Sequence, residues 1–253
     1  MCEEAPRRRE GETDASALEI NCSLGGACCP DALRLLTSSG CAVLTGVLNS
    51  AEVANAARAL EPLLEEASSS WDAVDDSLQP SFSRRKWGVT RVPRVNSRKK
   101  NVHFSQECHL HSCLSRLAVA AGLAELLSSH LGRRVSLSET GLSLTLGGGS
   151  GMEWHADGGS EEATVLMSLA DVPAAQGALG VVPRSHVAYV EGQDPAVVLE
   201  NLPERVWHAY KAGCPVVVDA RTLHAAADNM TEQLRCVVWM IFNAEQGTEV
   251  EGS

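Results

Sequence analysis

The sequence predicts an α+β fold with a β-barrel or sandwich core, and three observations carry that prediction. Helical periodicity is confined to the first half of the chain, strand-like alternation begins at Val135, and linkers rich in Gly, Pro, Asp and Asn separate the later segments. The chain has 253 residues, 44% of them hydrophobic, enough to bury a full core, and it contains no internal repeat. One domain accounts for it.

The elements follow in order. Residues 1–28 are polar, charged and unpatterned, and are expected to form a mobile tail ahead of a domain spanning 29–253. "PDALRLLTSSG" reads as a helix closed by Gly40, and "CAVLTGVL" as the short apolar strand after it. In "NSAEVANAARALEPLLEEA" Ser50 is the expected cap, with Val53, Ala57, Leu60 and Leu64 on one helical face. Residues 68–104 lack strong periodicity and read as a long loop over a site. "CLSRLAVAAGLAELLSSHLG" reads as one amphipathic helix ending at Gly132. In "VSLSETGLSLTLG" the alternation puts Leu142, Leu144 and Leu146 on one side and Ser143 and Thr145 on the other. "ATVLMSLADV", "GALGVVP", "CPVVVDA" and "RCVVWMIFNA" complete the strands.

Composition excludes several function classes. A net charge of -11 argues against a nucleic-acid surface, which needs a clustered positive face. The basic run over 84–100 reads as a solvated loop rather than an anion site. Nine scattered cysteines with no CxxC pair fit reduced thiols better than a disulfide framework or a zinc finger. The chain shows no apolar signal region, no apolar run of membrane-spanning length and no peroxisomal C-terminal tripeptide. A cytoplasmic location is the expectation.

Chemistry concentrates in "GGGSGMEWHADGG". Residues two apart in an extended segment project to the same side, so His155 and Asp157 present an imidazole and a carboxylate together. A single His-X-Asp is a weak signal. It is strengthened by "GCPVVVDARTLHAAADNMTEQLRCVVWMIF", where His224 follows an apolar strand and Arg235 opens the next, eleven residues on. Two histidines and one carboxylate with open positions form the ligand set of non-haem Fe(II) oxygenases. A 2-oxo acid such as 2-oxoglutarate would chelate the ion and leave a position for O2. Metal, Asp157 and the cosubstrate together leave one net negative charge. Arg235, bidentate and always protonated, would cancel it on the distal carboxylate. His224 and Arg235, on neighbouring strands, would stand one cosubstrate length apart.

Rival residues have simpler readings. His186 in "PRSH" is read as a structural hydrogen bond, and His103, His109 and His111 as solvated or core histidines rather than a second metal cluster. Asp219 and Asp228 read as turn or capping residues, and Arg221 as half of a structural ion pair. Trp154, Trp87 and Tyr189 are candidates to line a substrate pocket, against the commoner role of core or rim. At the level of function, a zinc hydrolase on the same triad and a non-catalytic barrel that binds a small molecule stay open.

Over residues 30 to 245 the chain resembles the phytanoyl-CoA dioxygenase family of Fe(II)/2-oxoglutarate oxygenases. The resemblance rests on "LTSSGCAVLTGVLNSAEVANAARAL", "WHADGG", "GALGVVPRSH" and "VVVDARTLHAAADNMTEQLR". It implies a double-stranded β-helix, a jelly-roll or cupin-like barrel, with flanking N-terminal helices. It also implies Fe(II), 2-oxoglutarate and O2 as cofactors, a small-molecule substrate, metal ligands at His155, Asp157 and His224, and the 2-oxoglutarate arginine at Arg235. Asn229 matches a motif position and is carried over as a residue organising the cosubstrate site. The chain departs from the family pattern at Arg184, where a small residue is usual, and at Ala226, often serine. The lysine often found in the strand before the His-X-Asp box is not evident, and Ser143 or Thr145 is the expected substitute. The intact Asp157 carboxylate favours hydroxylation over halogenation.

Overall fold

The computed structural model describes residues 12–13, 15–23, 30–69, 71, 87, 89–91, 94–96 and 98–249, with backbone alone for 12, 13, 15, 90, 91, 94–96 and 247–249. Strands β1 (Glu12–Thr13) and β2 (Glu19–Asn21) come first, then α1 (Pro30–Ser39), β3 (Cys41–Thr45) and α2 (Ser50–Ser69). Strands β4 (Val89–Arg91), β5 (Arg94–Asn96) and β6 (Lys99–Phe104) precede α3 (His109–Ala120) and α4 (Leu123–Leu131). The barrel strands are β7 (Arg133–Thr145), β8 (Met152–His155), β9 (Glu162–Met167) and β10 (Leu179–Val181). The short helices α5 (Ser185–Ala188) and α6 (Pro195–Asn201) follow, then β11 (Arg205–His208), β12 (Val216–Asp219), β13 (His224–Ala226) and β14 (Arg235–Glu249).

Two sheets form a jelly roll. The large sheet runs β2-β3-β12-β9-β14-β7-β6-β4, with β5 paired to β6, and the small sheet runs β1-β11-β10-β13-β8. The central strands β3, β9 and β12 bury both faces, which is why these segments read as apolar runs. Leu142, Leu144, Val165, Val217, Val238 and Met240 join the core beneath the helices. Their neighbours Leu166, Val216, Val218 and Val237 pack with Leu179, Val181 and Val206 of the small sheet. Period-two alternation thus assigns one set of side chains to the helix layer and the other to the barrel interior.

Several sequence readings need correction. Within the segment read as a tail, β1 pairs in parallel with β11, and β2 with β3; residues 1–11, 14 and 24–28 lie outside the described residues. The cap of α2 is Asn49, not Ser50: its Oδ1 accepts from the amides of Ala51 and Glu52, and Glu52 Oε2 accepts from the Asn49 amide, a reciprocal capping box. The buried stripe of α2 is Val53, Ala56, Leu60, Leu63 and Ala67, so Ala57 and Leu64 sit at its edge. The single long helix is two, bent by 69° around Gly122, whose φ of 67° an L side chain rarely adopts. Both halves pack against β7. The expected loop over 68–104 contains strands β4 to β6, although 70, 72–86, 88, 92, 93 and 97 lie outside the described residues. No single helix among the described residues is long and apolar enough to cross a membrane.

Candidate active site

The small sheet supplies the first half of the site. His155 at the end of β8 stands directly opposite His224 at the start of β13, so both imidazoles leave the same face. Asp157 sits on the turn that follows, where the amides of Asp157 and Gly158 donate to Ala220 O at 2.8 and 3.1 Å. His155 Nε2 is 3.5 Å from one Asp157 oxygen and His224 Nε2 is 3.6 Å from the other. One ligand atom from each of the three side chains lies within 4.8 Å of the others, and no other such group occurs among the described residues.

Backbone carbonyls orient both rings. His155 Nδ1 donates to Glu153 O at 2.8 Å and His224 Nδ1 donates to Thr222 O at 3.1 Å. A carbonyl can only accept, so each Nδ1 carries the proton and each Nε2 turns a lone pair toward the common point. Burial lowers the His224 pKa below its ordinary value; burial acts likewise on His155, but its hydrogen bond with Asp157 raises it above. Burial would raise the Asp157 carboxyl, yet His224, His155 and Thr164 hold it well below the usual range. An ionised carboxylate beside two inward lone pairs is a donor set for a divalent metal.

The second half comes from the facing large sheet. Across β6, β7 and β14 the register sets Lys99, Thr145 and Arg235 side by side. Arg235 is 2% exposed and Lys99 is 1% exposed. Arg235 Nη1 donates to Gly177 O at 2.9 Å and Ala227 O at 3.3 Å, while Nη2 donates to Thr145 Oγ1 at 3.1 Å. Its Nε is buried with no partner among the described residues. Burial and the neighbouring Arg235 push the Lys99 ammonium down to about 8. Two buried cations with no carboxylate beside them among the described residues are costly unless an anion joins them. A cavity of about 210 Å³ connects them to the triad, with Tyr210 beside Arg235.

The structure brings His155, Asp157, His224 and Arg235 to one cavity. It separates His224 and Arg235 onto facing sheets, not neighbouring strands, because the chain crosses the barrel between β13 and β14. Thr145 and Asn229 do not line that cavity. Thr145 steers Arg235, while Asn229 donates to Thr145 O and Gln233 O and accepts from the Thr231 amide and hydroxyl, fixing the β13–β14 loop. Asp228 holds the entry to β8, accepting from the Gly151 amide at 2.7 Å. Lys99 is the residue that sequence reasoning missed. It lies in the stretch without periodicity, and only its pairing with β7 turns it inward.

The rival residues take structural places. Arg221 makes a bidentate pair with buried Asp219, which also accepts from His130 at 2.9 Å. His186 Nε2 bonds to Thr37 O. Arg184 is the one non-glycine residue at positive φ, 68°, among the described residues. His103 lines the cavity, but His109 and His111 do not, and Trp87, Trp154 and Tyr189 give way to Trp239 and Tyr210 as the aromatic lining.

A jelly roll that aims two imidazoles and a carboxylate at one point, across from a buried pair of cations, has the plan of a non-haem, metal-dependent oxygenase. The chain belongs to the phytanoyl-CoA dioxygenase (PhyH) family, whose profile matches residues 36–237. No curated protein matches the sequence. Solved structures share the fold at low identity. One is the epimerase SnoN in complex with Fe3+, alpha ketoglutarate and nogalamycin RO (22% identity, 85% of each chain covered, TM-score 0.65). Another is the non-heme alpha ketoglutarate dependent carbocyclase SnoK from nogalamycin biosynthesis (18%, 89% of this chain and 94% of that one, TM-score 0.66). A third is EctD from S. alaskensis with 2-oxoglutarate and 5-hydroxyectoine (20%, 87% of this chain and 78% of that one, TM-score 0.63).

Proposed function

We propose that the chain is an Fe(II)- and 2-oxoglutarate-dependent dioxygenase that hydroxylates a C–H bond of a small molecule. The observation that carries this reading is the meeting, in one cavity, of a metal donor triad with two buried cations that have no carboxylate partner among the described residues. His155, Asp157 and His224 would hold the ion. Arg235, with its partnerless Nε, would take one carboxylate of 2-oxoglutarate, and Lys99 would place a second positive charge beside it. Iron, 2-oxoglutarate and O2 together supply oxidative decarboxylation to succinate and CO2, with the oxidising power to break a C–H bond. The protein's part is to fix the imidazole tautomers, keep Asp157 ionised and balance the buried charge. Three neighbours in this fold whose names include an alpha ketoglutarate requirement or a bound 2-oxoglutarate support the same cosubstrate.

The cation pair separates this reading from a zinc hydrolase on the same triad, which has no use for it. Anaerobic addition of Fe(II) and 2-oxoglutarate is expected to give a weak visible charge-transfer band, and air to yield succinate. His155→Ala is expected to lose both. Zinc-dependent hydrolysis that needs no 2-oxoglutarate, or succinate formation surviving in His155→Ala, would overturn the assignment. Products that gain one oxygen atom distinguish hydroxylation from the epimerase and carbocyclase chemistries of the neighbours.

A further inference from the structure

Beyond the cationic row, the same three strands present two more rows to the cavity. Asn101, Ser143 and Val237 form the next, and His103, Gly141 and Trp239 the one after. Arg235 and Trp239 are four residues apart on β14, roughly 14 Å along a strand. The far row is therefore remote from the guanidinium.

The far row is built around Gly141. A Cβ there would fall 2.1 Å from Trp239 Cζ2 and 2.5 Å from Cε2, so the indole lies across β7, toward β6. Its ring meets His103 edge-on, centroids 4.6 Å apart. His103 Nδ1 is in turn 3.3 Å from Glu139 Oε2, which steadies the imidazole. Trp239 is 8% exposed, yet its Nε1 has no hydrogen-bond partner among the described residues. Asn101 Oδ1 is likewise buried and without a partner among the described residues. Buried polar atoms are ordinarily satisfied, so an orphaned donor and an orphaned acceptor on adjacent rows of one cavity point to a ligand.

Charge narrows that ligand. Glu139 stands at the far row, and the carboxylates of Glu162 and Glu191 lie against Gly158 and Gly159, on the turn after Asp157. Three carboxylates around this end of the cavity repel anions. The cavity, about 210 Å³ in all, must also hold the cosubstrate.

We propose that Asn101 and Trp239 are the substrate-recognising pair, and that they take a compact, uncharged molecule offering a donor and an acceptor side by side, as a lactam, a primary amide or a hydroxylated ring does. The acceptor meets Trp239 Nε1–H, the donor meets Asn101 Oδ1, and the ring lies against the indole. This assignment rests on the oxygenase reading for the word substrate, but the pair can be tested without turnover.

The chain has five tryptophans, so a 15N-labelled sample gives at most five indole N–H signals, and Trp239→Phe identifies the one that matters. Titration with 2-pyrrolidinone is expected to shift that signal saturably at millimolar concentration. Cyclopentanone, which only accepts, is expected to bind about ten-fold more weakly, and Asn101→Leu to remove the preference, the effect of one lost buried hydrogen bond. Coenzyme A is expected to leave the signal in place. An unmoved signal with 2-pyrrolidinone, equal affinity for the two ring compounds in the unaltered protein, or a stronger response to coenzyme A each overturns the proposal. The comparison of ring compounds needs no variant to fold. Loss of the Fe(II)–2-oxoglutarate band with the pyrrolidinone response intact counts against the oxygenase reading alone; the reverse result counts against this pair alone.

Discussion

The two faces of the large sheet are made by the same strands and do opposite work. On β7 and β14, Leu142, Leu144, Val238 and Met240 point under the helices, while Ser143, Thr145, Arg235 and Val237 point into the barrel. The helix face follows the rules of a core, its few buried polar groups paired within the chain, as Lys100 Nζ is with Trp71 O and Thr140 Oγ1 with His111 Nδ1. The barrel face breaks them, with two buried cations in one row and orphaned polar atoms further along. Stability belongs to the first face and chemistry to the second, so substitutions on each should separate cleanly in what they change.

The largest effect is expected on the barrel face. Arg235→Ala removes the guanidinium from a desolvated charge pair, worth ~3–5 kcal/mol, which should weaken 2-oxoglutarate binding at least a hundred-fold in equilibrium titration. Unchanged cosubstrate affinity would end its assigned role. On the opposite face, Leu144→Ala is expected to cost ~2–5 kcal/mol of unfolding free energy in a denaturant melt, with little change in cosubstrate affinity in the protein that stays folded. If both quantities fell together, the division between faces would be wrong.

A smaller, pH-dependent effect sharpens the comparison. Lys99 sits at about 8 in the folded protein, below its ordinary value, because burial and Arg235 disfavour its charged form. The unfolded chain keeps that proton to higher pH, so stability should rise with pH from about 8 toward the ordinary lysine value. Cosubstrate binding should show the opposite sign. A dianion favours the protonated amine, so 2-oxoglutarate affinity is full below about 8 and falls as pH rises through it. Lys99→Met should weaken binding at neutral pH and flatten that profile; a profile unchanged by the substitution would remove Lys99 from the cosubstrate site.

What the sequence made legible follows the same division. Leu142, Leu144, Ser143 and Thr145 take the sides their alternation assigned, because a strand inside a packed sheet has no other way to place them. His155, Asp157 and His224 were readable because their residue types are rare together and metal chemistry demands them. Lys99, Asn101 and Trp239 were not, since a lysine in an unpatterned stretch or a tryptophan in an apolar strand carries no local mark of facing a cavity. Their inward direction is a property of cross-strand register, which depends on residues far along the chain. Asn49 displaced Ser50 as the α2 cap because both are good capping residues and only the backbone geometry chooses between them.

The pairing of His155 with His224 has a consequence for how such a gene can change. Because the two sit directly opposite on antiparallel strands, a single inserted or deleted codon that slid β8 past β13 by one place would throw an imidazole to the outside of the barrel. The apolar neighbours of these short strands would tolerate that slip far better than the ligands would. Length variation between relatives should therefore accumulate in the connections, with β8 and β13 kept at constant length.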